Sequence, residues 1–118
     1  MVELHEELDE LTDRLERELE TCRTSGCALA RNEQAYRTAL RLAILEERRK
    51  GTPATVTGDL CRGREDIAAL RCQRDCSEAI YRASQEAINV LKLRIRMVDA
   101  QMTRIWNSGG VTGGGYLR

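Results

Sequence analysis

Apolar residues recur at steps of three and four from one end of the chain to Trp106. In the first segment Leu4, Leu8, Leu11, Leu15, Leu19, Cys22, Gly26, Leu29, Tyr36, Leu40 and Ala43 share one stripe, interrupted only by Glu33. That spacing is one face of a helix, and it predicts a helix over 2–50. Ser25-Gly26 is its weak point, because Gly costs about 1 kcal/mol against Ala inside a helix. The second segment carries two rows at heptad spacing. Ile67, Arg74, Tyr81, Ile88, Ile95 and Met102 form one row, and Leu70, Ser77, Ser84, Leu91, Val98 and Ile105 form its companion. The rows are apolar from Ile88 onward and polar at Arg74, Ser77 and Ser84.

Between the two segments, Gly51-Thr52-Pro53-Ala54-Thr55-Val56-Thr57-Gly58 is a strong breaker cluster. It predicts a loop over 51–58 and a second helix over 59–106, bent near Gly63. Beyond Trp106 the glycine-rich stretch 107–118 predicts a flexible tail, with Tyr116 and Arg118 available as a lid where it orders. Two helices of similar length around one short loop predict an all-α fold: a long antiparallel, coiled-coil-like helical hairpin, about 65–70 Å from end to end.

Charge supports the antiparallel arrangement. Residues 1–20 hold nine acids against Arg14 and Arg17, a net charge of −7 in a chain that is neutral as a whole. Folding back sets this segment beside Lys92, Arg94, Arg96 and Arg104. Each helix also has more apolar surface than one seam uses. The second helix adds Ala69, Cys72, Cys76, Ile80, Ala83, Ala87, Val90 and Met97; the first adds Ala35, Ala39, Leu42, Ile44 and Leu45. Such a face marks an association site, so copies of the hairpin are expected to assemble into a homo-oligomeric helical bundle, with a different protein as the competing partner.

Composition narrows the function classes. Charged residues make up 32% of the 118 and aromatics only 3%, which suits long amphipathic helices better than a sandwich or an α/β core. The acidic start lacks the apolar run of a signal peptide, and no stretch approaches a membrane span. The expected location is therefore the cytoplasm. Five cysteines (Cys22, Cys27, Cys61, Cys72, Cys76) without a secretion context read as reduced thiols filling small core positions. Cys72 and Cys76 have a metal-ligand spacing, but the single His lies far off at His5, so neither metal nor cofactor is expected. No catalytic constellation stands out, and the chain reads as a non-enzyme.

Candidate chemistry gathers at the loop. Residues 37–64 carry seven cations against three acids, net +4, with Thr52, Thr55 and Thr57 nearby. Guanidinium forks, hydroxyls and a helix N-terminus suit a phosphate or nucleotide-like anion. The predicted ligand-binding residues are Arg37, Arg48, Lys50, Thr52, Thr55, Arg62, Arg71 and Arg74. The competing account is that these arginines are solvated or pair with nearby Glu. Arg74 falls on a core row, so it must meet Glu33, meet Asp75 of a neighbouring copy, or face a ligand cavity. Tyr36 and Tyr81 are either rings for a base or core filler.

Gly51-Thr52-Pro53-Ala54-Thr55, Asp59-Leu60-Cys61-Arg62-Gly63, Ile67-Ala68-Ala69-Leu70-Arg71, Arg74-Asp75 and Glu86-Ala87-Ile88-Asn89-Val90 resemble a group of small helical proteins encoded by bacteriophages and prophages. The resemblance spans residues 33–106 and implies a helical hairpin working in an infected bacterial cell. Among small oligomeric phage proteins, non-catalytic sponges sequester nucleotide-derived immune signals. By analogy of class, the expected function is anti-defence sequestration of a small anionic nucleotide-like ligand. A nucleic-acid-binding accessory of phage DNA metabolism, or a structural or protein-inhibiting helical module, is the alternative.

Overall fold

The computed structural model describes residues 1–114, with side chains through Gly109. Among these residues the chain is all-helical, with no strand: α1 runs Val2–Arg49, α2 Ala54–Arg62 and α3 Glu65–Gly114. The predicted kink at Ser25-Gly26 is absent, and α1 is helical straight through it. Gly26 has a packing role instead. A Cβ there would stand 3.1 Å from Cε1 of Tyr81, so the missing side chain lets the ring lie against α1.

The loop is shorter than the breaker cluster suggested. Gly51 adopts φ +92, a left-handed conformation that glycine enters without a Cβ clash. Its N–H donates to the Arg48 carbonyl at 3.1 Å, and the Thr52 N–H reaches back to Glu47 at 3.2 Å. Those two bonds make a Schellman cap, which satisfies carbonyls left open at the end of α1. Pro53 follows at once with φ −58 and opens α2, so Ala54–Gly58 is helical rather than loop. Proline suits this place because it has no N–H to leave unpaired and its φ is already set. The bend at Gly63 is present. Its N–H bonds the Asp59 carbonyl at 3.1 Å, and α3 restarts at Glu65, where Asp66 Oδ1 accepts the Ile67 N–H at 2.9 Å.

Helix α3 also continues past Trp106, through Asn107 and Ser108 to Gly114, where a flexible tail was expected. These residues extend a helix that is already nucleated, so each adds a bond without the entropic cost of a first turn. Residues 115–118, with the proposed lid residues Tyr116 and Arg118, lie outside the described residues.

The chain divides into two compact units, each pairing α1 with α3 in antiparallel fashion. Unit 1 comprises Met1–Glu20 and Ser84–Arg118. Its core is Leu11, Leu91 and Val98, with Leu4, Leu8, Leu15, Ile95 and Met102 packed around them. Ser84, a polar member of the heptad row, is buried and donates to the Glu18 carbonyl at 3.2 Å. Leu19, expected on the apolar stripe, is instead 49% exposed.

Unit 2 is Thr21–Ala83 and takes a third wall from α2. Its core joins Tyr36 and Ala43 of α1, Cys61 of α2 and Ile67 of α3. Cys61 is fully buried and Ile67 is 2% exposed. Thr57, also buried, turns its hydroxyl back to the Pro53 carbonyl at 2.8 Å, so its polar atom is satisfied inside the helix.

The two heptad rows are thus the packing face of α3, apart from Ile105, which is exposed. Of the second apolar stripe, Ala39 and Ile44 pack against the core of unit 2 and Ala87 is half-buried, whereas Leu42, Leu45, Ile80, Val90 and Met97 are exposed, as is neighbouring Leu93.

Candidate ligand-binding cluster

Within unit 2, the polar break in the heptad rows is resolved by a network built on Glu33. Its carboxylate accepts Arg37 Nε at 2.7 Å and Arg74 Nη1 at 3.1 Å. Arg74 also donates Nε and Nη2 to Oδ1 of its neighbour Asp75, at 3.1 and 2.8 Å. Its guanidinium carbon lies 4.8 Å from the centre of the Tyr36 ring, a cation–π contact. Three residues beyond Arg74, Ser77 Oγ accepts Asn32 Nδ2 at 2.6 Å. Arg74 therefore meets Glu33, one of the carboxylates that its core position demanded, and the Asp75 it meets is its own.

Electrostatics follow this geometry. The hydrogen bond from Arg37, then that from Arg74, holds the Glu33 carboxyl below the usual carboxylate range. Asp75 first and Glu33 second raise the Arg74 guanidinium further above its ordinary value. Glu33 and Arg74 are thus each stabilised in the ionised form.

Beside the network lies an open cleft of about 660 Å³, lined by Gly26, Leu29, Ala30, Glu33, Arg74, Glu78 and Tyr81. Two carboxylates face one guanidinium that is already engaged. This cleft disfavours an anion, so Arg74 and Tyr81 do not make an anion pocket within one chain.

The loop end shows the same economy. Lys50 Nζ sits 3.8 Å from Glu46 and 3.5 Å from Glu47. Thr52 Oγ1 donates to Glu47 at 2.9 Å, and with Lys50 and Arg64 it lowers the Glu47 pKa. Arg62 pairs with Asp59 at 3.1 Å, and Arg64 with Asp66 at 2.9 Å. Thr55 is exposed.

The eight predicted residues therefore do not converge on one point. Arg37 and Arg74 share Glu33; Lys50 and Thr52 share Glu47; Arg62 is held by Asp59. Arg48 and Arg71 are exposed and meet no partner among the described residues. Arg41 and Arg49, which were not singled out, are equally free of carboxylates. The i,i+4 pair Glu33–Arg37 and the i,i+3 pairs Glu47–Lys50 and Asp59–Arg62 were legible as sequence spacings. The Asn32–Ser77 bond was not, because it joins residues 45 positions apart.

The cysteines depart from the core-filler expectation. Cys61 alone is buried, while Cys27, Cys72 and Cys76 are exposed. The Cys76 thiol is raised above its ordinary value, mainly by its hydrogen bond with Cys72. No group of three or more metal-capable side chains occurs among the described residues.

Comparison with protein families, with curated proteins and with solved structures found no match to this chain. Among the described residues, no helix is long and apolar enough to cross a membrane.

Proposed function

We propose that the chain is a non-catalytic helical module that acts as a homo-oligomer and holds a small anionic, nucleotide-derived ligand between copies. The observation that carries this reading is the contrast among the cations of unit 2. Arg37, Arg62, Arg64 and Arg74 are matched to carboxylates, whereas Arg41, Arg48, Arg49 and Arg71 are not. Arginines left without a carboxylate keep their forks available for a phosphate. Beside Arg41, Arg48 and Arg49 on α1, Leu42 and Leu45 stand exposed, an apolar surface that a second copy would cover.

The phage setting, the cytoplasmic site of action and the anti-defence role rest on the sequence resemblance. They make cyclic nucleotides and ADP-ribose derivatives the ligands to try. Titration calorimetry of the oligomer against that panel should give saturable heat that Arg48→Ala and Arg71→Ala each weaken by about tenfold. Absence of heat with every member, using folded oligomer, would overturn the ligand assignment. The same free arginines also suit a nucleic-acid backbone, whose affinity would fall steeply with salt. Binding to duplex or single strands with that salt slope, and no heat from mononucleotides, would replace the ligand reading with the nucleic-acid one.

A further inference from the structure

The exposed stripe of α3 has an internal order. In unit 2 its seam positions offer small side chains, Cys72, Cys76 and Ala79, all exposed, with the larger Ile80 beside them on the flank. In unit 1 it offers large ones: Val90, Leu93 and Met97 are 48%, 54% and 61% exposed. Both triplets follow the alternating three–four spacing of a coiled-coil seam.

We infer that α3 packs antiparallel against α3 of a second copy, seating Cys72 on Met97, Cys76 on Leu93 and Ala79 on Val90. The inference rests on the self-association proposed above and specifies its surface and direction. One register satisfies all three pairings at once, because the residue numbers in each pair share the same sum. Two-fold symmetry then repeats them, so each of these large side chains meets a small one, and at the centre Ala83 faces Glu86 of the second copy, whose carboxylate reaches solvent past the small alanine.

Charge selects the same register. On the flank of the seam Asp75 comes opposite Arg96 of the second copy, and near the centre Arg82 comes opposite Asn89 of the second copy. All four are exposed. Shifting the helices by one heptad sets arginine against arginine on that flank, Arg82 opposite Arg96 in one direction and Arg82 opposite Arg82 in the other, and it is this charge, not the apolar pairing, that selects the register. A different protein would have no reason to be mirrored in this chain's own sequence; a second copy does.

Sedimentation of four samples tests the assignment: wild type, Asp75→Arg, Arg96→Asp, and an equimolar mixture of the two variants. Each variant alone sets like charges opposite each other twice per dimer, so its dissociation constant should rise about tenfold. In the mixed dimer both flanking pairs become opposite again, and affinity should return to within about threefold of wild type. A wild-type oligomer whose variants gain nothing on mixing would overturn this seam while leaving self-association standing. A folded wild-type monomer at about 100 µM would overturn self-association itself, and the seam with it. As a second readout, oxidised Leu93→Cys protein should carry an intermolecular bridge to Cys76. Mapping the bridge to other cysteines instead, in an oligomer that still forms, would also overturn the register.

Discussion

The two units pair the same two helices and hold them by different means. Unit 1 relies on aliphatic side chains in its heptad rows: Leu11, Leu91 and Val98 interlock, and Ser84 is satisfied by one backbone carbonyl. Unit 2 has Arg74, Ser77 and Tyr81 at the equivalent rows. It answers with Glu33, Asn32 and the bare backbone at Gly26, and it borrows Cys61 from α2 to complete its core. A polar residue on a seam is thus tolerated where the facing helix supplies its partner. The two kinds of seam should fail differently.

Truncating the aliphatic anchors should have the largest effect. Ile67→Ala in unit 2 and Leu91→Ala in unit 1 remove well-buried side chains, and each should cost about 2–4 kcal/mol. Urea unfolding measures this, and hydrogen exchange should show the loss concentrated in the unit that carries the substitution. Equal loss of protection in both units would break the division between them.

Arg74→Met comes next. It keeps the bulk of the chain but removes the contacts to Glu33, Asp75 and Tyr36. Glu33 retains Arg37, so no charge is stranded, and the expected loss is about 1–2 kcal/mol by urea unfolding. A gain in stability would mean that the network serves specificity rather than stability.

Gly26→Ala should show a smaller effect that depends on its neighbour. The new methyl improves helix propensity by about 1 kcal/mol but presses on the Tyr81 ring, so little net change is expected. In a Tyr81→Leu background the pressure is relieved, and the same substitution should stabilise by nearly that full amount. Thermal melts of the four variants complete the cycle.

The mildest test is acid. Arg37 and Arg74 lower the Glu33 pKa, and Arg64 lowers that of Asp66. A carboxylate whose folded pKa is depressed contributes stability above its unfolded value and loses it as pH falls through the folded one. Melting temperature should therefore hold down to about pH 5 and decline below about pH 4. Glu33→Gln should flatten part of that decline.

Much of the fold is readable from spacing alone. The stripes on α1 and the heptad rows on α3 are the faces that pack, because a helix buries whatever its period brings to one side. The stop at Lys50-Gly51 and the bend at Gly63 are equally local, set by a left-handed glycine and by carbonyls that need caps. Helix α2 was missed because Pro53 reads as a breaker in a loop but also serves as a helix opener, and the sequence does not distinguish the two. Arg74 was legible as a problem, with Glu33 among its solutions; the choice between them was not.

The amino-acid sequence by itself determined the helices, their packing faces and the place where the chain turns back, since these follow from periodicity and from backbone chemistry within a few residues. The loop-end matches of Lys50 with Glu47 and of Arg62 with Asp59 are local spacings of the same kind. Only the tertiary structure decided the pairs that join residues tens of positions apart, Arg74 with Glu33 and Asn32 with Ser77. Those depend on the register between helices, and a shift of one helical turn would hand Glu33 a different neighbour.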